Sequence, residues 1–262
     1  MRTTAKATGP PHAAASGKRE AAARRSAIYR LRTLAGLERA VVSCARCPRL
    51  REHCARVAAE KRAAYRRESY WGRPLPSFGD PAARIVLVGL APGAHGANRT
   101  GRMFTGDRSG DFLFAALHRA GLCNQPTSTH RDDGLKLRDV WITAAARCAP
   151  PDNRPTPAEL TSCLPYLARE LSLLSRRRVL VALGAIAFDS IWAAFEEHGM
   201  QIGRPRPRFA HGAFYAIGDG WPSVLASYHP SQQNTQTGRL TSAMLDEIFT
   251  RARRLARGAV GE

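Results

Sequence analysis

The stretch that most constrains this chain runs from Arg84 to Leu113. Ile85-Val86-Leu87-Val88 is a short run of mostly β-branched apolar residues, which suits a buried strand. Gly89-Leu90-Ala91-Pro92-Gly93-Ala94-His95-Gly96 is a loop of small residues, so backbone can come close to a ligand there. From Ser109 or Gly110, Asp111-Phe112-Leu113 opens a helix with an acidic first turn. Open α/β sheets bind ligands at such a place, where a strand runs through a loop into a helix. No Gly-Lys-Ser/Thr follows the loop and the GxGxxG spacing is absent, so it is neither a P-loop nor a dinucleotide fingerprint. It is also far longer than an ordinary strand-to-helix connection, which marks it as functional.

The remaining chain repeats the alternation. Strands are expected at Val140–Ala145, Arg178–Gly184 and Ser223–His229. Helical patterns fall at Phe112–Ala120, Pro157–Ser175, Ala185–Glu197 and Ser242–Arg257, and Phe209–Gly218 reads as a small hairpin. Four strands alternating with helices imply a mostly parallel sheet covered on both faces. Upstream, Ile28, Leu31, Leu34, Leu37 and Val41 recur at helical spacing, and a second basic helical stretch is expected from Leu50 to about Tyr70. Residues 1–26 have almost no large apolar side chains and read as a flexible basic arm, leaving 27–262 as one domain.

The 262 residues carry 40 Lys+Arg against 21 Asp+Glu, a formal charge of +19 that points to a polyanionic partner, nucleic acid first. No apolar run is long enough to span a bilayer and no apolar signal core follows the charged N-terminus, so the expected compartment is the cytoplasm, with no membrane partner. Six cysteines there are reduced: free thiols or metal ligands. Cys44 and Cys47 form a CxxC before Pro48; Cys148 follows the second strand and Cys163 lies in the next helix. Zinc ribbons bring two close pairs, whereas iron–sulfur clusters accept more varied spacing, so a four-cysteine site holding a 4Fe-4S cluster stands ahead of zinc. Cys54 and Cys123 are left over and read as free thiols, although Cys54 could compete as a ligand.

The last strand ends at His229, before the polar run Pro230 to Thr241. In a parallel sheet this loop lies across the same crevice as the Gly89 loop.

Taken together, the segments Gly89 to Asp107, Arg147-Cys148-Ala149-Pro150-Pro151, and His229-Pro230-Ser231 through Gly238-Arg239-Leu240-Thr241 resemble the uracil-DNA glycosylase superfamily, and its family 5 (type B) members in particular. The resemblance covers roughly Cys44 to the C-terminal helix. It implies a three-layer α/β/α sandwich with a central, mostly parallel four-stranded sheet, and a 4Fe-4S cluster on Cys44, Cys47, Cys148 and Cys163. It implies removal of uracil from DNA, with hypoxanthine and adducted pyrimidines as further bases, by a monomer working on the nucleoid. The base would sit against Gly89, Leu90, Ala91, Pro92, Gly93 and Ala144 and stack on Phe104. His229 would hydrogen-bond the carbonyl that gains charge. Ser231, Gln232, Asn234 and Arg239 would contact DNA.

Related families place an acid or amide early in the first motif to orient the attacking water. Here those positions are Leu90 and Ala91, which can do neither. Asn98 is the first substitute and Asp107 the nearest carboxylate, either a base or a helix cap. The second strand ends Thr143-Ala144, without the amide that reads the base edge in a related family, which fits relaxed base choice. The competing readings are a nucleic-acid-binding module built on structural zinc, and, more weakly, a nucleotide-binding enzyme.

Overall fold

The computed structural model describes residues 23, 25–218 and 220–258. Most of the arm assigned to 1–26 therefore lies outside the described residues. Residues 25–29 are helical, with Ile28 buried, so helical order begins inside the segment read as arm.

Four five-residue strands form the sheet centre: β2 (Ile85–Gly89), β3 (Val140–Ala144), β4 (Val179–Leu183) and β6 (Ser223–Ser227). Every pairing among them is parallel. The sheet is six-stranded rather than four-stranded: with β1 (Phe78–Gly79) and β5 (Phe214–Tyr215) the order is β1-β3-β2-β4-β6-β5. These two additions are each antiparallel at an edge. Two residues are too few to show alternation, so β1 was hidden in a turn-rich link and β5 in the expected hairpin.

Alternate strand residues point to opposite faces. Ile85, Leu87, Ile142 and Val181 pack with α4 (Arg108–Arg119) and α8 (Ser242–Ala256), through Phe114, Leu117, Leu245 and Phe249. Val86, Val88, Leu180 and Val224 pack with α5 (Pro157–Leu173) and α6 (Ala185–Glu197), through Leu167, Leu171, Phe188 and Ile191. This is a three-layer α/β/α sandwich. From β2 the chain steps to β3 on one side and then to β4 on the other, so the order reverses at the carboxyl end of β2, where such sheets open a crevice.

The upstream helices are shorter than their patterns. Thr33 caps α1 (Leu34–Val42) through its side chain, which separates the Ile28 turn from that helix. The stretch expected to be helical to Tyr70 stops at Glu60, the end of α2 (Pro48–Glu60), where Lys61 takes φ 54. The following segment instead lies over the Gly89–Asp107 region: Trp71 N donates to Arg99 O at 2.9 Å and Gly72 N to Asn98 O at 3.0 Å.

One buried ion pair ties β3 to α5. Arg147 pairs with Glu170, both almost fully buried. Glu170 also accepts from Thr143 Oγ1 at 2.5 Å and Trp141 Nε1 at 3.2 Å. Removing one partner strands the other charge, so Glu170→Ala is expected to lower unfolding free energy by about 3–5 kcal/mol in urea titrations. A loss below about 1 kcal/mol would mean water reaches Arg147.

Candidate active site

The crevice at the end of β2 has a volume of about 530 Å³. Leu90, Ala91 and Gly93 form one wall, and Ser231, Gln232 and Gln233 the facing one. Phe104 and His229 meet inside it, ring centroids 5.8 Å apart and planes 33° from parallel. Phe104 has φ 52, a conformation that costs a non-glycine residue free energy and concentrates at functional sites. Its ring lies over Gly89, where a β-carbon would come within 2.9 Å of Phe104 Cζ. Glycine at the end of β2 is thus required for the aromatic to reach the crevice.

His229 reaches the crevice from the end of β6. Its carbonyl accepts from Asn234 Nδ2 at 2.8 Å, which fixes the loop behind the ring. No described residue takes up its ring nitrogens, so they are available to a ligand. Burial pushes its pKa down to about 4, which leaves the imidazole neutral at ordinary pH, a donor without a formal charge.

Asp107 both caps α4 and lines the crevice. Its Oδ1 accepts from Gly110 N at 2.9 Å. Its other oxygen turns toward Gly96, where a β-carbon would fall 1.9 Å from Oδ2. Burial raises its pKa above the usual carboxylate value, with helix-amide bonds opposing. The helix therefore begins at Arg108, earlier than the expected Ser109 or Gly110.

Asn98, in the short helix α3 (Ala97–Thr100), is fully buried and not in the lining. Its amide faces Cys54 O and Ala94 O, both at 3.4 Å, and so points toward α2 rather than the crevice. Pro92 and Ala144 are buried behind the lining. Thr143 Oγ1 is committed to Glu170, so no side-chain amide or free hydroxyl stands at the end of β3. Asn234 and Arg239 belong to an adjoining groove that shares Leu90 and His229, where the Arg239 guanidinium lies 4.6 Å from the Tyr228 ring centroid. The run after His229 is not all loop: Gln232–Gln236 is a short helix, α7.

Sequence reasoning missed the turn at Pro151–Asn153, which brings Asp152, Asn153 and Arg154 to the crevice rim. Asp152 and Asn153 both take positive φ, 54 and 55. The available signal was Pro-Pro-Asp-Asn five residues beyond a strand, a turn composition past a strand's carboxyl end.

The four candidate metal-binding cysteines converge from separate elements: Cys44 after α1, Cys47 at the start of α2, Cys148 after β3 and Cys163 in α5. None of the four is in a disulfide. Burial pushes Cys163 up to about 11, and Cys47 and Cys44 add to the rise. Cys148 is raised by its hydrogen bond to Cys54 and by burial, with Cys163 contributing. Cys54 is therefore not remote from the set: it lies against Cys148, and its Sγ faces Ala149 O at 3.6 Å. Among the described residues, no group of three or more His, Cys, Asp or Glu closes on a point suited to a single metal ion. No described helix is long and apolar enough to cross a membrane.

An aromatic floor thus stands beside a neutral hydrogen-bond donor at the switch point of an α/β sheet, complementary in shape and polarity to a flat heterocycle. Residues 76–253 match the model of the "Uracil DNA glycosylase superfamily". The chain is 52% identical over 214 residues to a type-5 uracil-DNA glycosylase of Mycobacterium bovis, covering 81% of this chain and 78% of that protein. It is 53% identical over 216 residues to one of Thermus thermophilus, covering 82% and 95%. A third, from Pyrobaculum aerophilum, is 47% identical over 212 residues, covering 81% and 88%. The chain belongs to the uracil-DNA glycosylase superfamily, on its type-5 branch.

Proposed function

We propose that this chain hydrolyses the N-glycosidic bond of deoxyuridine in DNA, releasing uracil and leaving an abasic site that opens base excision repair. The observation that carries the reading is the Phe104–His229 pair in the β2 crevice. The target base leaves the duplex stack to reach it. Phe104 stacks on the flipped ring. The His229 N–H donates to the uracil carbonyl that gains negative charge as the bond to C1′ breaks, strongest in the transition state. A neutral imidazole suits this role, because a cation would hand its proton to the leaving base. Water attacks C1′; Asp107 orients it and takes its proton, which is returned to solvent or to the departing base. Asp107 carries this role rather than Asn98, whose amide faces away.

Because no side-chain amide reads the base edge from the end of β3, shape and stacking govern base choice, which extends the range to hypoxanthine and adducted pyrimidines. Ser231, Gln232, Asn234 and Arg239, on the loop after His229, contact DNA and fill the emptied position. All residues invoked lie on one chain, so a monomer suffices. Excision of uracil from a labelled duplex tests the reading. A wild type that binds DNA but releases neither uracil nor hypoxanthine would overturn it.

Cys44, Cys47, Cys148 and Cys163 would hold a 4Fe-4S cluster. Four cysteines gathered from four elements, two of them deeply buried, fit an all-thiolate group better than they fit isolated side chains. When bound, such a group supplies a covalent cross-link between the N-terminal helices and the segment after β3. Purified protein is expected to be brown, with about four irons and four sulfides per chain. Cys163→Ser is expected to lose most of the iron and unfold at lower temperature. Colourless protein carrying zinc would refute the cluster and leave the cysteine set.

A further inference from the structure

Beyond Asp107 the crevice continues into a second lobe of about 560 Å³. The two lobes share Gly93, Asp107, Ser109, Asn153 and Gln232, so Asp107 stands on the partition between them. The charged chemistry of this second lobe is mainly cationic. Arg62 and Arg108 line it together with Tyr65 and His95, and Asp107 is the single carboxylate in the lining.

These two arginines differ from the buried arginines of the neighbouring segments, which are already paired. Arg99 pairs with Glu68, Arg102 with Asp133 and Arg147 with Glu170. Neither Arg62 nor Arg108 makes an ion pair with any described carboxylate, and both are exposed. The field in the lobe is positive: His95, held by Tyr70 Oη at 3.1 Å, has its pKa lowered by burial, then by Arg62, Arg99 and His53. Arg62 is there because α2 stops at Glu60 and the chain turns back over the Gly89–Asp107 region.

We infer that this lobe is a phosphate subsite: Arg62 and Arg108 clamp one phosphodiester of the damaged strand, directly next to the flipped nucleotide. The inference rests on the glycosylase reading. With the base on Phe104 and its C1′ beside Asp107, the flanking phosphate is one sugar away, on the far side of the partition. Two unpaired guanidiniums neutralise an anion there, so the phosphate can lie near Asp107 without keeping that carboxyl protonated.

The test is a binding cycle on a duplex carrying 2′-fluoro-deoxyuridine, which resists cleavage. A neutral methylphosphonate is placed at each flanking phosphate in turn. Arg62→Ala/Arg108→Ala is compared with wild type and with Arg176→Ala, which removes an exposed charge just before β4, at the opposite end of the sheet. The double variant is expected to bind about tenfold or more weakly, and its slope of log K against log salt to fall by about 0.9 per lost contact. One methylphosphonate position, adjacent to the uridine, should weaken wild type and Arg176→Ala about tenfold yet leave the double variant unaffected. Equal losses in all three proteins at every position would overturn the subsite, as would wild-type affinity in the double variant. Excision of ordinary uracil by wild type, measured alongside, separates that failure from failure of the glycosylase reading.

Discussion

His229→Ala is expected to slow uracil release about a hundred- to a thousand-fold in single-turnover assays, the cost of removing one aligned donor to a developing oxyanion. DNA affinity, measured on the 2′-fluoro duplex, should change little, because the ring stands inside the crevice and its backbone is held independently by Asn234. The loss therefore belongs to kcat. His229→Gln keeps an N–H near the same place and should recover part of the rate. The imidazole stays neutral down to about pH 4, so this histidine adds no acid limb near its ordinary value. Unchanged excision by the alanine variant would leave the enzyme standing but remove His229 from leaving-group stabilisation.

The second large effect is at Asp107. A general base contributes about 10²- to 10⁴-fold, and Asp107→Asn removes the base while keeping an amide that caps a helix as well as aspartate does. Rate and stability should move in opposite directions. The wild-type carboxyl has a raised pKa, so the base is active only when pH exceeds that value. The rate of excision should therefore rise with pH through a limb above the usual carboxylate range, then level off. Asp107→Asn should be slow and lack that limb. For stability the sign is reversed. A raised acid pKa means the folded state holds its proton more tightly than the unfolded chain. Wild-type stability therefore falls as pH climbs from the unfolded pKa through the folded one. Asp107→Asn has no such fall and should melt higher at neutral pH. A variant equally active, or active with the limb intact, would show that another group receives the proton.

The alternation of apolar runs and helical periods determined the sandwich and its four central strands, because a strand buried on both faces must be apolar throughout and shows it in sequence. The composition of Gly89–Gly96 likewise marked the crevice, since only small residues let an aromatic such as Phe104 lie against the strand end. The edge strands were not legible, because two residues carry no period. Nor was the end of α2 at Glu60, set by how Trp71 and Gly72 bond to the Arg99 and Asn98 carbonyls across a long separation. Tertiary structure also separated Asn98 from Asp107. The two lie nine residues apart in one polar loop and were both candidates on paper, yet Asn98 sits in a helical turn from which its amide faces α2, while Asp107 caps a helix whose amino end opens on the crevice. Sequence fixes which side chains are present and their local periods. Which of them share a space depends on contacts between distant segments, and those exist only once the chain has closed on itself.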